Sequence, residues 1–394
     1  MRRLVVASAI LATLLTWPLA LVAAAPTPPP AASLASAATD AERATGALAY
    51  LLAAQRADGS LDGSIGETAD FVIGAAAAGF DPATLRGCSA TATAALDYLA
   101  TASDAAATDA AKTGKATLAV VAAGGDPAAF QGRDLIARLG ALYNSGTGAY
   151  GDGSTFGESF AILALRAGGR DVPVAALAEL KALQDPDGSW SYGTAPVAAG
   201  QGDTNSTAIA LMALGAAGDH SVDATGLAYL RSQQLADGGF PYQNSSAFGP
   251  PASDADSDSI VLQALIAAGQ DPAGSSWLQG SNSVLTQLRT AQAAGGGFAY
   301  PGMPPSAFTT SQVPAALMLV PYAAALHPVA GAGVPTTACR APIATRTLAP
   351  TATAPVPAPG PSSPGPLAYL VIALVVLAGV VGAGWAFTAN PRRR

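Results

Sequence analysis

One short phrase recurs along the chain, and it constrains the fold more than any other feature. QDPDGSW (184–190) returns as QRADGSL (55–61), QLADGGF (234–240) and QAAGGGF (292–298), and more loosely as NSGTGAY (144–150). The flanks recur too. VAALAELKAL (174–183), apolar at helical spacing, precedes QDPDGSW, and DTNSTAIALMALGAAG (203–218), apolar on nearly every side, follows it. GETADFVIGAAAAG (66–79), DADSDSIVLQALIAAG (254–269) and FTTSQVPAALMLVPYAAAL (308–326) follow three other copies. The helix pairs run 41–82, 88–127, 133–171, 174–222, 224–272 and 281–327, the second without a recognisable phrase. Such a period marks stacked helical repeats. Second helices close on AAGFDP, AAGGDP or AAGQDP, where Gly takes the left-handed cap and Pro prevents continuation.

Amphipathic first helices and apolar second helices predict two layers, with the second helices inside. An open stack needs polar capping repeats, and neither terminal unit is more polar than the others, so a closed ring is expected. The phrase then reads as a clasp between neighbouring units. Gln55, Gln184, Gln234 and Gln292 stand where the carbonyls at the end of an outer helix need partners. Gly188, Gly238 and Gly296 permit the bend, and Trp190, Phe240 and Phe298 pack back over the Gln.

Gln-x3-Gly-x-Trp after an Ala/Leu-rich helix resembles the QW repeat of the prenyltransferase/squalene-oxidase family, over residues 41–327. The resemblance implies an all-α (α/α)6 toroid. Within the wider group of toroids, prenyltransferase β-subunits hold zinc with Asp, Cys and His, and no Cys or His stands at an inner-helix start here. Complement-type thioester domains carry GCGEQ, whereas Cys88 lies in RGCSA. Class II terpene cyclases carry DxDD, which Asp254-Ala255-Asp256-Ser257 matches except at its last position, placing Asp256 where the general acid stands. Those cyclases have two toroids and aromatic-rich cavities; this chain has residues for one, and only 6% aromatics. Secreted cobalamin binders have one toroid but also a β-rich domain that this chain lacks.

Asp203-Thr204-Asn205-Ser206 repeats the same frame, so the acids also read as helix N-caps: Asp203, Asp254, Asp256 and Asp258 are all candidates. The DxDxD spacing suggests calcium, but Ser259 and Leu265 stand where an EF-hand loop wants Gly and Glu. Parallel inner helices would ring one mouth with Glu67, Lys112, Glu158, Asp203, Asn205, Asp256, Asp258 and Gln312, a polar rim suited to an amphipathic ligand. Three readings follow: a ligand-binding toroid without chemistry of its own, a cyclase-like enzyme using Asp256 with Asp254 beside it, and a structural surface repeat. No cofactor is expected. Two Cys and two His supply no familiar zinc spacing, so no metal is expected either.

The ends place the toroid. Residues 1–25 read as an export signal, with an uncleaved anchor as the alternative, and 26–40 as a disordered link. Residues 328–366 form a stalk rich in Pro, and 367–387 are 21 residues without a charge, enough for one transmembrane helix. The basic tail, 388–394, is expected in the cytoplasm, leaving the toroid outside a cell membrane. In that setting Cys88 and Cys339 are expected to form a disulfide, two buried thiols being the alternative. With 11% charged residues and a net charge of −7, no surface is expected to attract nucleic acid.

Overall fold

The computed structural model describes residues 38–336, except 89–90, 245–249, 323, 325 and 327. The expected signal segment, membrane helix, basic tail and Cys339 lie outside the described residues. Among the described residues, no helix is long and apolar enough to cross a membrane.

The fold is all-α, an α/α toroid of six helical pairs. Outer and inner helices alternate: α1 (Asp40–Ala54) and α2 (Ile65–Ala77), α3 (Ala95–Ala105) and α4 (Ala110–Ala122), α5 (Leu135–Leu142) and α6 (Thr155–Ala167). There follow α7 (Val174–Ala182) and α8 (Thr204–Ala216), α9 (Asp223–Gln233) and α10 (Ala255–Ala267), and α11 (Val284–Ala291) with a divided inner partner, α12 (Ala307–Ser311) and α13 (Val313–Leu317). Each inner helix packs on the next, and α12 and α13 pack on α2, so the inner layer closes on itself. Every outer helix rests against the inner helix of the preceding unit. For α1 that partner is α13, which makes the first unit the successor of the sixth.

The sixth inner helix departs from the single helix expected over 308–326. Pro314 has no N–H to give, the helix is interrupted at Gln312, and it ends at Leu317. Leu319 then takes a left-handed conformation (φ 57). Residues 328–336, expected in the stalk, lie along the first unit instead. Ala332 O accepts from Asp81 N at 2.8 Å, and Gly331 N donates to Asp81 Oδ2 at 2.8 Å. Cys88, which opens the second unit, is disulfide-bonded.

The repeated phrase couples the units. Gln55 Nε2 donates to Gly59 O (2.7 Å) and to Leu85 O (3.3 Å), ahead of the next outer helix. Gln184 donates to Gly188 O and Thr225 Oγ1, both at 3.0 Å, and Gln234 to Gly238 O and Trp277 O, both at 2.9 Å. Gln292 donates to Gly296 O (3.0 Å) and across the seam to Arg43 O (2.8 Å). Each Gln thus satisfies one carbonyl of its own turn and one acceptor of the following unit. Trp190, Phe240 and Phe298 are fully buried, and Trp190 Nε1 donates to Leu180 O at 2.8 Å in the last turn of α7. The second unit, lacking the phrase, meets the third through Asp104, which takes Arg133 (2.7 Å) and Arg138.

The clasp glycines have no room for a side chain. Gly188 (φ +88) and Gly238 (φ +87) would each bring a Cβ to 2.6 Å from the backbone of the next unit, and Gly296 (φ +87) abuts Gly46 across the seam. Gly280 also has positive φ (+65), but nothing lies within 4 Å of it. Gly280→Ala should therefore cost only the left-handed strain, about 1–2 kcal/mol. Gly296→Ala should lose a further ~1–3 kcal/mol by overpacking the seam. Denaturant unfolding of the two variants should show the difference; equal losses would mean that the seam is loose.

Candidate functional site

All six inner helices begin with the same device. Ser64, Asp109, Ser154, Asp203, Asp254 and Ser306 are N-caps, each accepting from the backbone N–H three residues on. The helices are therefore in register, and distance from the cap assigns each side chain its place. A helix has one N-cap, so of the four candidate caps only Asp203 and Asp254 fill the role. Asp203 accepts from Ser206 N (2.7 Å) and Oγ (2.8 Å), and Asp254 from Ser257 N (2.8 Å) and Oγ (2.9 Å).

Four residues past the cap, the side chain turns to the clasp. Thr68 accepts from Leu61 N (2.9 Å), Thr207 from Trp190 N (3.0 Å) and Thr310 from Phe298 N (2.9 Å). Glu158 and Asp258 hold this position in the third and fifth units. Glu158 accepts from Tyr150 N, and Asp258 from Phe240 N at 2.6 Å. Both are fully buried and lie behind the mouth rather than on its rim. Thr68 and Thr207 also return their hydroxyl protons to the cap residue's carbonyl, at 2.6 and 2.7 Å. The carboxyls cannot, and one oxygen of each is buried without a partner. Burial consequently pushes Glu158 up to about 8 and Asp258 well above the carboxylate range.

In the bore, side chains six residues past the cap (Asp70, Lys115, Phe160 and Gln312) meet others two past it (Asn205 and Asp256). Lys115 of α4 pairs with Asp70 of α2 at 2.6 Å. Tyr322, carried inward after α13, donates to Asp70 Oδ1 (2.8 Å) and contacts Gln312 Oε1 (3.3 Å). Gln312 Nε2 donates to Asp256 Oδ1, and Asn205 Nδ2 donates to Asp256 Oδ2 at 3.1 Å. Phe160 of α6 completes the circuit, edge-on to Tyr322 at 5.6 Å and beneath the Lys115 ammonium at 5.2 Å. This belt draws one residue from every inner helix. Burial, reinforced by Asp254, pushes Asp256 up to about 8, with Lys115 and Asn205 opposing; burial alone raises Asp203 and Asp254 to about 6.

Of the expected rim residues, Asn205, Asp256 and Gln312 come together. Glu67, raised to about 7 chiefly by burial, stands at the start of α2, and Lys112 pairs with Asp109 (2.8 Å) at the start of α4. Asp254, Asp256 and Asp258 point to three different partners, unlike a calcium loop. Among the described residues no group of three or more His, Cys, Asp or Glu is placed to hold a metal ion. The sequence reading missed Asp70, Lys115 and Tyr322. Asp70 and Lys115 were signalled by their shared distance from the cap, whereas Tyr322 had no repeat position to mark it. It also missed Tyr192, Tyr242 and Tyr300, each two residues past a clasp aromatic in WSY, FPY and FAY.

No family model matches the chain, and no curated protein does. Solved structures similar to it include the type II terpene cyclase MstE from Scytonema, at 15% identity over 71% of this chain and 97% of that one, with a TM-score of 0.49. Unsaturated glucuronyl hydrolase from Bacillus sp. GL1 aligns at 13% identity over 71% and 95%, with a TM-score of 0.49. The ent-copalyl diphosphate synthase from Streptomyces platensis aligns at 17% over 65% of this chain and 49% of that one, with a TM-score of 0.42. The likeness to these proteins is one of fold.

The buried acids make stability depend on pH. A carboxyl raised in the fold keeps a proton that the unfolded chain releases near pH 4, so its contribution is full below that and is lost as pH rises through the folded value. Asp203, Asp254, Glu67, Glu158 and Asp256 place the loss between about 4 and 8. The melting temperature should peak near pH 4–5 and fall towards 8. Asp258→Thr, restoring the residue type of four other units, should flatten this fall and raise the melting temperature at pH 8; a pH profile identical to wild type would contradict the assignment.

Proposed function

We propose that the toroid binds a ligand at its mouth, displayed outside a membrane on the C-terminal stalk and helix, and carries out no chemistry of its own. The observation that carries this reading is the belt. Its members touch one another from wall to wall of the bore, so the bore holds its own side chains, and a ligand finds its footing above them. Two shallow hollows, of about 260 and 430 Å3, lie away from the belt, one beside Asp187 and Tyr229 and the other at the seam by Gly46 and Gln292. Native mass spectrometry of the full chain should reveal a small molecule that co-purifies. That molecule should raise the melting temperature of wild type but not of Asn205→Ala. A shift retained in the variant would move binding away from the mouth.

One observation favours the cyclase-like reading: Asp256, raised to about 8, retains a proton at neutral pH. Against it, both Asp256 oxygens already accept from amide N–H groups, an arrangement suited to holding a carboxylate in place. Incubation with squalene or geranylgeraniol is therefore expected to leave both unchanged. A cyclised product that disappears in Asp256→Asn would replace the binding reading with an enzymatic one.

A further inference from the structure

Three tyrosines occupy one position in three consecutive repeats. Tyr192, Tyr242 and Tyr300 each stand two residues past a buried clasp aromatic, yet they are 55%, 41% and 48% exposed. Backbone bonds decide where they stand. Thr155 N donates to Gly193 O at 3.2 Å, and Thr204 N donates to Tyr242 O at 2.9 Å. The segments after the Trp190 and Phe240 clasps thus cross the start of the preceding unit's inner helix. Tyr192 lies over α6, 5.3 Å from the Phe156 ring, and the Tyr242 hydroxyl donates to Asp203 Oδ2 over α8 at 3.1 Å. Tyr300 holds the same position after its clasp; burial raises its hydroxyl, and so do the charges of Asp254 and Asp256 at the start of α10. Phe308, two residues past the cap of α12, is 53% exposed. These rings thus stand at the starts of α6, α8, α10 and α12, inner helices that follow one another around the ring, and Asn205 and Asp256 begin two of them.

Large rings left half in water at successive positions forgo burial, and a grouped set of them marks a binding surface. The chemistry at those helix starts narrows what it takes. A polyprene would want an apolar bore, and the belt is polar. A quaternary ammonium would want a free carboxylate; Asp203 and Asp254 are occupied as caps, and Asp256 is occupied by two amides. A net charge of −7 disfavours polyanions. What remains is flat apolar faces set among uncharged hydroxyls and amides, which match a pyranose with its C–H face and rim of hydroxyl groups.

We propose that the mouth is a binding site for a neutral glycan, whose rings stack on Tyr192, Tyr242, Tyr300 and Phe308 while its hydroxyls bond to Asn205 and the tyrosine hydroxyls. The assignment rests on the ligand-binding reading above and names its ligand class. The test uses the full chain in a detergent without a sugar headgroup, titrated with cellohexaose, maltohexaose, mannohexaose and chitohexaose by calorimetry. At least one should bind with a dissociation constant below about 1 mM. Tyr192→Ala and Tyr300→Ala should each weaken it roughly five- to tenfold, whereas the Phe variants, which keep the ring, should stay within about threefold of wild type. No binding by any of the four, or binding unmoved by both Ala variants, overturns the proposal. A tyrosine-dependent response to choline or geranylgeraniol in the same titration also overturns it, while leaving ligand binding at the mouth intact.

Discussion

The structure depends on how the ends of short outer helices satisfy their backbone groups. A helix end buried against neighbours leaves carbonyls that must find donors. One Gln amide at each clasp bonds to its own turn and to the next unit, so local satisfaction and inter-unit docking become the same interaction. The residue that ends one outer helix thereby positions the next, and at the seam it brings Gln292 to Arg43. Closure follows without polar end caps because the sixth unit treats the first as its successor. The second unit shows that the requirement is docking rather than the phrase itself. There, Asp104 with Arg133 and Arg138 provides the junction.

The six N-caps turn this repetition into a layout for function. Because every inner helix starts in register, distance from the cap narrows each side chain's place: four residues on it meets the clasp, and the belt is drawn from positions two and six residues on. Thr is the inexpensive choice against the clasp, since its hydroxyl both accepts and donates. Glu158 and Asp258 accept equally well but leave a second oxygen without a partner, so they remain protonated in the fold. The resulting acid preference is a property of the scaffold and needs no catalytic explanation. Asp256 differs, because its hydrogen-bond partners are the polar side chains of two other units. Desolvation outweighs the favourable groups around it, which gives an acid motif its raised proton affinity without assigning it a reaction.

Much of the fold was legible because its signals are periodic and local. Helix spacing, Gly-Pro endings and the Gln phrase announce the pairs, and the absence of polar terminal repeats announces the ring. The candidate site was legible in part. Asn205, Asp256 and Gln312 could be named from their places near helix starts, but Glu158 and Asp258 could not be separated from them. At those starts the sequence shows polarity, whereas a turn of about 100° per residue decides whether a carboxyl faces the mouth or the clasp. The WSY, FPY and FAY tyrosines were visible once a second ring was sought after each buried one.

The sequence by itself determined the kind of unit, its number and the residues that lock one unit to the next, because these rest on neighbours within a few dozen positions. Only the tertiary structure decided what fills the middle. Pro314 interrupts the last inner helix, and the following chain carries Tyr322 to Asp70, 252 positions away in sequence. Lys115, Gln312 and Phe160 gather around it. That contact is set by closure of the ring, which brings the two ends of the domain to one place and has no periodic trace in the sequence.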